Sequence, residues 1–115
     1  MSPSKPFCRF TFVRQELKMT IENLIIQKQG TIIDVRTYEE FVGGHIENSI
    51  NIPLQELTVD LQKIKELKMP LILCCASGGR SGMAQSILAK EGFECYNAGS
   101  WLNINYIHVQ NSPIK

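Results

Sequence analysis

A short apolar run, Leu71-Ile72-Leu73, enters from Pro70, reaches two adjacent cysteines, and then meets Ala76-Ser77-Gly78-Gly79-Arg80-Ser81. The run is short and bounded by Pro and Gly, which predicts a buried strand of the parallel type. Beyond the glycines, Met83, Ala84, Ile87 and Leu88 recur at helical spacing and Gly92 supplies a stop. A helix is therefore predicted with these four side chains on its inner face. Cys75 then stands at the carboxyl end of a strand, facing the amino end of a helix, where open α/β sheets bind their ligands.

The same loop favours a negatively charged sulfur. The backbone N–H groups of Ser77, Gly78, Gly79, Arg80 and Ser81 can converge into an anion nest. Adjacent glycines permit dihedrals that a Cβ forbids, and the helix start adds partial positive charge. Such surroundings pull a thiol below its ordinary pKa of about 8.5. A thiolate held there is a nucleophile, and its cradle also stabilises an anionic leaving group.

The flanking sequence alternates strand and helix signals. Leu17-Lys18-Met19 reads as a first strand, followed by a helix capped by Thr20, carrying Ile21, Leu24 and Ile25 inward and stopping at Gly30. Thr31–Val35 reads as a central strand, and the Asp34 carboxylate within it needs nearby donors. Tyr38–Val42 reads as a single helical turn closed by Gly43-Gly44, and Ser49–Ile52 as a short strand ended by Pro53. Asn48 suits a left-handed turn before it. Leu54, Leu57, Leu61, Ile64 and Leu67 form a helical core stripe, broken near Thr58-Val59-Asp60. Phe93–Tyr96 is the last predicted strand, with Cys95 a buried and inert thiol, and Asn103–Lys115 reads as a short helix and tail. This alternation predicts one α/β domain with helices on both faces of a mostly parallel sheet. Residues 1–16 read as an N-terminal extension in which Phe7, Phe10, Phe12 and Val13 cover an apolar patch, and residues 17–115 as the domain.

Composition excludes several function classes. A net charge of +1 over 115 residues gives no electrostatic case for nucleic acid or an anionic membrane. No apolar run approaches the roughly 20 residues of a membrane span, and no secretory signal is visible at the N-terminus. The four cysteines lie at positions 8, 74, 75 and 95, without Cys-x2-Cys spacing, so no metal site is expected. The vicinal pair argues against a secreted disulfide scaffold, and a reduced, cytoplasmic setting is the expectation.

Four blocks, in order, carry a resemblance. They are Thr31–Arg36 followed by Glu40-Phe41; Gly44-His45-Ile46 leading to Ile50–Pro53; Cys75–Ser81; and Gly92-Phe93 through Tyr96-Asn97 to Gly99 and Trp101. Together they cover about residues 31 to 101 and resemble the rhodanese-like sulfurtransferases. The resemblance implies a five-stranded domain in which Cys75 opens, and Arg80 closes, a six-residue loop. Cys75 would be the catalytic nucleophile. Ala76, Ser77, Gly78, Gly79, Arg80 and Ser81 would form the substrate-binding loop. Asp34 and Arg36 would brace the sheet beneath it, and Trp101 would pack on the same side. His45 would be a structural residue packed beneath the sheet rather than the base of a Cys–His pair. The implied activity carries sulfane sulfur as a Cys75 persulfide from thiosulfate or a persulfide to a thiophilic acceptor, small or protein-borne, with no cofactor. Family members active on thiosulfate often carry a basic residue where this chain has Ala76, which points toward persulfide donors. Two alternatives stay open: a phosphatase or arsenate reductase using Cys74, whose spacing to Arg80 is one residue longer, and a non-catalytic module that binds partners.

Overall fold

The computed structural model describes residues 21–110. Helix α1 is described over residues 21–26. It is followed by β1 (Thr31–Asp34), α2 (Tyr38–Gly43), β2 (Ile50–Asn51), a 3-10 turn (Leu54–Glu56) and α3 (Leu61–Lys65). The remaining elements are β3 (Leu71–Cys75), α4 (Gly79–Lys90), β4 (Cys95–Ser100) and α5 (Trp101–Gln110). The predicted strand Leu17-Lys18-Met19, the cap at Thr20, the aromatic stretch from Phe7 and the last five residues lie outside the described residues. Among the described residues the sheet has four strands rather than five, in the order β2-β1-β3-β4, and all pairings are parallel.

Strand β3 is the centre of the fold because its five residues are all buried and it is flanked on both sides. Alternate side chains of a strand face opposite ways, and β3 uses both. Leu71, Leu73 and Cys75 join Ile33, Val35, Ile52, Leu57, Ile64, Ala84 and Leu88 in one apolar cluster, against α3 and α4. Ile72 and Cys74 join Ile25, Ile46 and Ile104 in the other, against α1 and α5. The two neighbouring cysteines thus belong to different layers of the protein.

Local chemistry explains most element boundaries. In α2, Thr37 Oγ1 accepts from the Glu40 amide at 3.2 Å and the Glu40 carboxylate accepts from the Thr37 amide at 3.0 Å, a reciprocal capping box. The stripe from Leu54 to Leu67 breaks where expected, into the 3-10 turn and α3, with Leu57 and Ile64 fully buried. Asn48 takes the left-handed turn at φ 71°. Several boundaries differ from expectation, most by one residue and those of the last two elements by more. Strand β4 starts two residues later than predicted and runs to Ser100, with a register shift that leaves Ala98 as an extra residue opposite the Leu73–Cys74 step. This bulge lets β4 follow β3 to its carboxyl end, and α5 starts at Trp101, two residues before the predicted helix. In α4, Met83 is 60% exposed, and the buried line is Ser81, Ala84 and Leu88. A hydroxyl takes the inner position because it faces the sulfur of Cys75.

Gly30 joins α1 to β1 at φ 81°, and a Cβ there would run into the carbonyl oxygen of Pro70, which accepts the Thr31 amide at 3.0 Å. Gly30→Ala is expected to lower stability by about 2–3 kcal/mol, measured as a shift of the urea unfolding midpoint with an unchanged slope.

Candidate active site

Helix α4 begins without a side chain to cap it: Gly78 occupies the N-cap at φ 107°. A helix start leaves four N–H groups without partners. The sulfur of Cys75 fills that gap. The Gly78 amide donates to Cys75 Sγ at 3.0 Å, the Ser81 amide at 3.4 Å, and the Ser81 hydroxyl lies 3.4 Å away. Sulfur takes the N–H of the third helical residue, as an N-cap oxygen would. The left-handed Gly78 brings the helix start round onto the strand end. Of the five amides expected to face the sulfur, those of Gly78 and Ser81 do so with full hydrogen-bond geometry, and that of Ser77 adds to them. Ala76, Ser77 and Gly79 are exposed on the rim, while Cys75 is 1% exposed.

Burial pushes the Cys75 thiol up, but the hydrogen bonds from the Ser81 hydroxyl and from the Ser81, Gly78 and Ser77 amides outweigh it and bring the pKa down to about 7. Cys74 differs completely. Burial among apolar side chains, then the charge of Asp34, push its thiol far above the ordinary range, and its side chain lies on the opposite face of the sheet. Cys95 is raised by burial. Cys74, Cys75 and Cys95 are all free thiols. The sheet therefore leaves Cys75, not Cys74, at the loop.

Ser81 links the sulfur to β4. Its Oγ lies 2.6 Å from Asn97 Oδ1, which also accepts the Gly99 amide at 2.9 Å, and Asn97 Nδ2 donates to the Gly78 carbonyl at 3.3 Å. A hydroxyl carries one proton. When Cys75 is a thiol, its S–H donates to Ser81 Oγ and the hydroxyl donates to Asn97. Either atom of the 3.4 Å contact between Cys75 Sγ and Ser81 Oγ can be its donor.

Arg80 does not point its charge at open solvent. Its guanidinium grips Glu40 of α2 with two bonds, Nη1 to Oε1 at 2.8 Å and Nη2 to Oε2 at 3.1 Å. The hydrogen bond from Arg80, then that from the Thr37 amide, hold the Glu40 carboxyl down to about 2. Beneath, Asp34 accepts three bonds from the Arg36 side chain (2.7 to 3.0 Å) and one from the Arg36 amide at 3.0 Å. Arg36 also donates to the Gly44 carbonyl at 2.7 Å and lies 4.6 Å from the centre of the Trp101 ring. This buried pair ties β1, the end of α2 and the start of α5 together. His45 is not packed beneath the sheet as expected. It is exposed, stacked on Phe41 at 3.8 Å, with Nδ1 2.7 Å from the Phe41 carbonyl, so it closes the end of α2.

Glu40 and Asn97 are the functional neighbours that the sequence reading missed as partners of the loop. The Thr-x-x-Glu spacing announced the cap of α2, but nothing local announces a partner 40 residues away. Among the described residues no cluster of His, Cys, Asp and Glu could hold a metal ion, and no helix is long and apolar enough to cross a membrane.

A parallel sheet, a thiol at its carboxyl edge and a ring of amides around the sulfur define a domain class, and comparison with known proteins gives it a family. The chain belongs to the rhodanese-like domain family, whose model matches residues 15–104. It is 42% identical over 71 residues to an uncharacterized Bacillus subtilis protein, YqhL, covering 61% of this chain and 56% of that one. It is 34% identical over 74 residues to the Escherichia coli thiosulfate sulfurtransferase PspE, covering 63% of this chain and 71% of that one. A rhodanese-like domain protein from Staphylococcus aureus superposes with a TM-score of 0.62 at 25% identity, over 76% of this chain and 86% of that one. The matches span between 22% and 56% of the length of the first curated relatives.

Removing the Ser81 hydroxyl takes away the strongest influence that lowers the Cys75 pKa. Ser81→Ala is expected to move that pKa upward from about 7, read as the pH midpoint of Cys75 alkylation by iodoacetamide. Reactivity rises as the thiolate forms, so the variant reacts more slowly near neutrality and catches up at alkaline pH. An unmoved midpoint would mean that the amides alone hold the charge.

Proposed function

We propose that the protein is a sulfurtransferase that carries sulfane sulfur on Cys75. One observation carries this reading most directly: a thiol with its pKa near neutrality sits in a ring of main-chain donors at the carboxyl end of the central strand. The family and its thiosulfate sulfurtransferase relative support the same class.

The Cys75 thiolate attacks the outer sulfur of a donor. A new S–S bond forms at Cys75 while the donor's own bond to that sulfur breaks. The departing group leaves with the electron pair, as sulfite from thiosulfate or as a thiolate from a persulfide. The loop amides that stabilise the thiolate are placed to stabilise the persulfide that replaces it. A second nucleophile (cyanide, a small thiol or a protein cysteine) then takes the outer sulfur and returns Cys75 to the thiolate. The sequence is ping-pong covalent catalysis, needs no external oxidant or reductant, and calls for no cofactor. Asp34 and Arg36 act as the platform for this chemistry and His45 as a helix stop, without touching the sulfur.

Incubation with thiosulfate or cysteine persulfide followed by intact-mass measurement is expected to show a gain of one sulfur atom. Cys75→Ser should abolish the gain, whereas Cys74→Ser should leave it in place. Loading that depends on Cys74, or none with any donor, would overturn the assignment.

A further inference from the structure

Between Ala76 and Gly82 the loop contains a single charged side chain, Arg80. In the fold this cation is already occupied. Its guanidinium makes two bonds to Glu40, and the two side chains are each a little over one-third exposed, at 36% and 39%. Isolated surface pairs of this kind are commonly loose. This one is held by a second set of contacts, because Glu40 Oε1 also accepts the Thr37 amide at 3.0 Å and meets Thr37 Oγ1 at 3.1 Å. The carboxylate is thereby fixed at the end of α2 before Arg80 reaches it. The paired, planar geometry is the strong form of such a contact. The amides of Gly78 and Ser81 are turned inward to the sulfur, and Ala76 and Ser77 bring no charge. An approaching anion thus meets an Arg80 whose field is cancelled.

We propose that Glu40 is a specificity-determining residue: by neutralising Arg80 it selects donors with at most one negative charge at the reacting end, alkyl persulfides above all, over the thiosulfate dianion. The proposal rests on the sulfur-transfer reading and names its substrate class. Its logic is repulsive as much as attractive, since selectivity is set by what the site fails to stabilise in the competitor. Arg80 retains its role as a clamp between α4 and α2, so the same contact that fastens the loop sets its charge.

Glu40→Gln tests this. The amide oxygen can still accept from Thr37, so the cap of α2 survives while the charge is lost. The first readout does not depend on sulfur transfer. Cys75 is alkylated with iodoacetate, an anion, and with iodoacetamide, which is neutral, and the ratio of rates is compared between the two proteins. Taking the ratio cancels any change in thiolate fraction. At low ionic strength the ratio is expected to rise about threefold in Glu40→Gln, and to fall back as salt is added. The second readout is the ratio of sulfur loading rates from thiosulfate and from cysteine persulfide, expected to rise about threefold, because the thiosulfate dianion carries one more negative charge at its reacting end than the persulfide anion and the ratio reads that difference. In Glu40→Gln/Arg80→Gln, with no charge left to release, the alkylation ratio should return to that of the parent protein. An unchanged alkylation ratio in Glu40→Gln overturns the proposal, as does a raised alkylation ratio with an unchanged donor ratio. If no donor loads either protein, the sulfur-transfer reading fails and the donor selection falls with it, while the alkylation ratio still decides whether Glu40 cancels the charge of Arg80.

Discussion

A buried thiol resists losing its proton, because a low-dielectric interior penalises the charge. Cys75 escapes that penalty through a trade with α4. The helix begins at a glycine with no capping side chain, and its first amides find their acceptor in the sulfur. Each partner satisfies the other: the helix start gains a cap, and the sulfur gains donors that do not reorganise when charge appears. The strand must end at residue 75, the chain must reverse at Gly78, and α4 must lie against β3 for this trade to occur. Every other feature of the site refines it.

The two faces of β3 perform a separation that matters chemically. Cys74 and Cys75 are adjacent in the chain, but strand alternation sends one sulfur into the layer shared with α1 and α5, and the other toward α4. Burial without donors makes the first inert. Burial with donors brings the pKa of the second down to about 7. Beneath them the Asp34–Arg36 pair is buried, and among the described residues no buried side-chain polar atom is left without a partner. Breaking such a pair is costly because a lone charge would stay behind. Through Gly44 and Trp101 the pair sets where α2 ends, and α2 in turn presents Glu40 to Arg80. Support passes from the sheet to the helix to the loop.

Much of this was readable in the chain. The apolar run before Cys75, the glycines after it and the helical spacing beyond are local patterns, and each element appeared with the expected type. The break in the stripe from Leu54 to Leu67 and the left-handed Asn48 were likewise legible from local chemistry, whereas α1 ends at residue 26 and the chain first turns left-handed at Lys28, ahead of the expected stop at Gly30. Other features were not. Met83 has the spacing of an inner residue but lies outside, because Ser81 takes the inward line to meet the sulfur. The late start of β4 follows from the bulge at Ala98, an adjustment to β3 that its own residues do not encode. His45 follows Gly44 out of the helix and stacks on Phe41, leaving Ile46 to enter the core.

The amino-acid sequence alone determined that a strand would deliver Cys75 to a glycine turn and a helix start, because hydrophobic period and backbone preference act between near neighbours. Only the tertiary structure decided which distant groups meet there: Glu40 with Arg80 across 40 positions, and Asn97 with Ser81 across 16. Those pairings depend on strand order and on where each crossover returns the chain. Solvent-facing polar side chains carry no periodic mark that names their partner, so the charge at the mouth and the proton beside the sulfur become defined when the layers close.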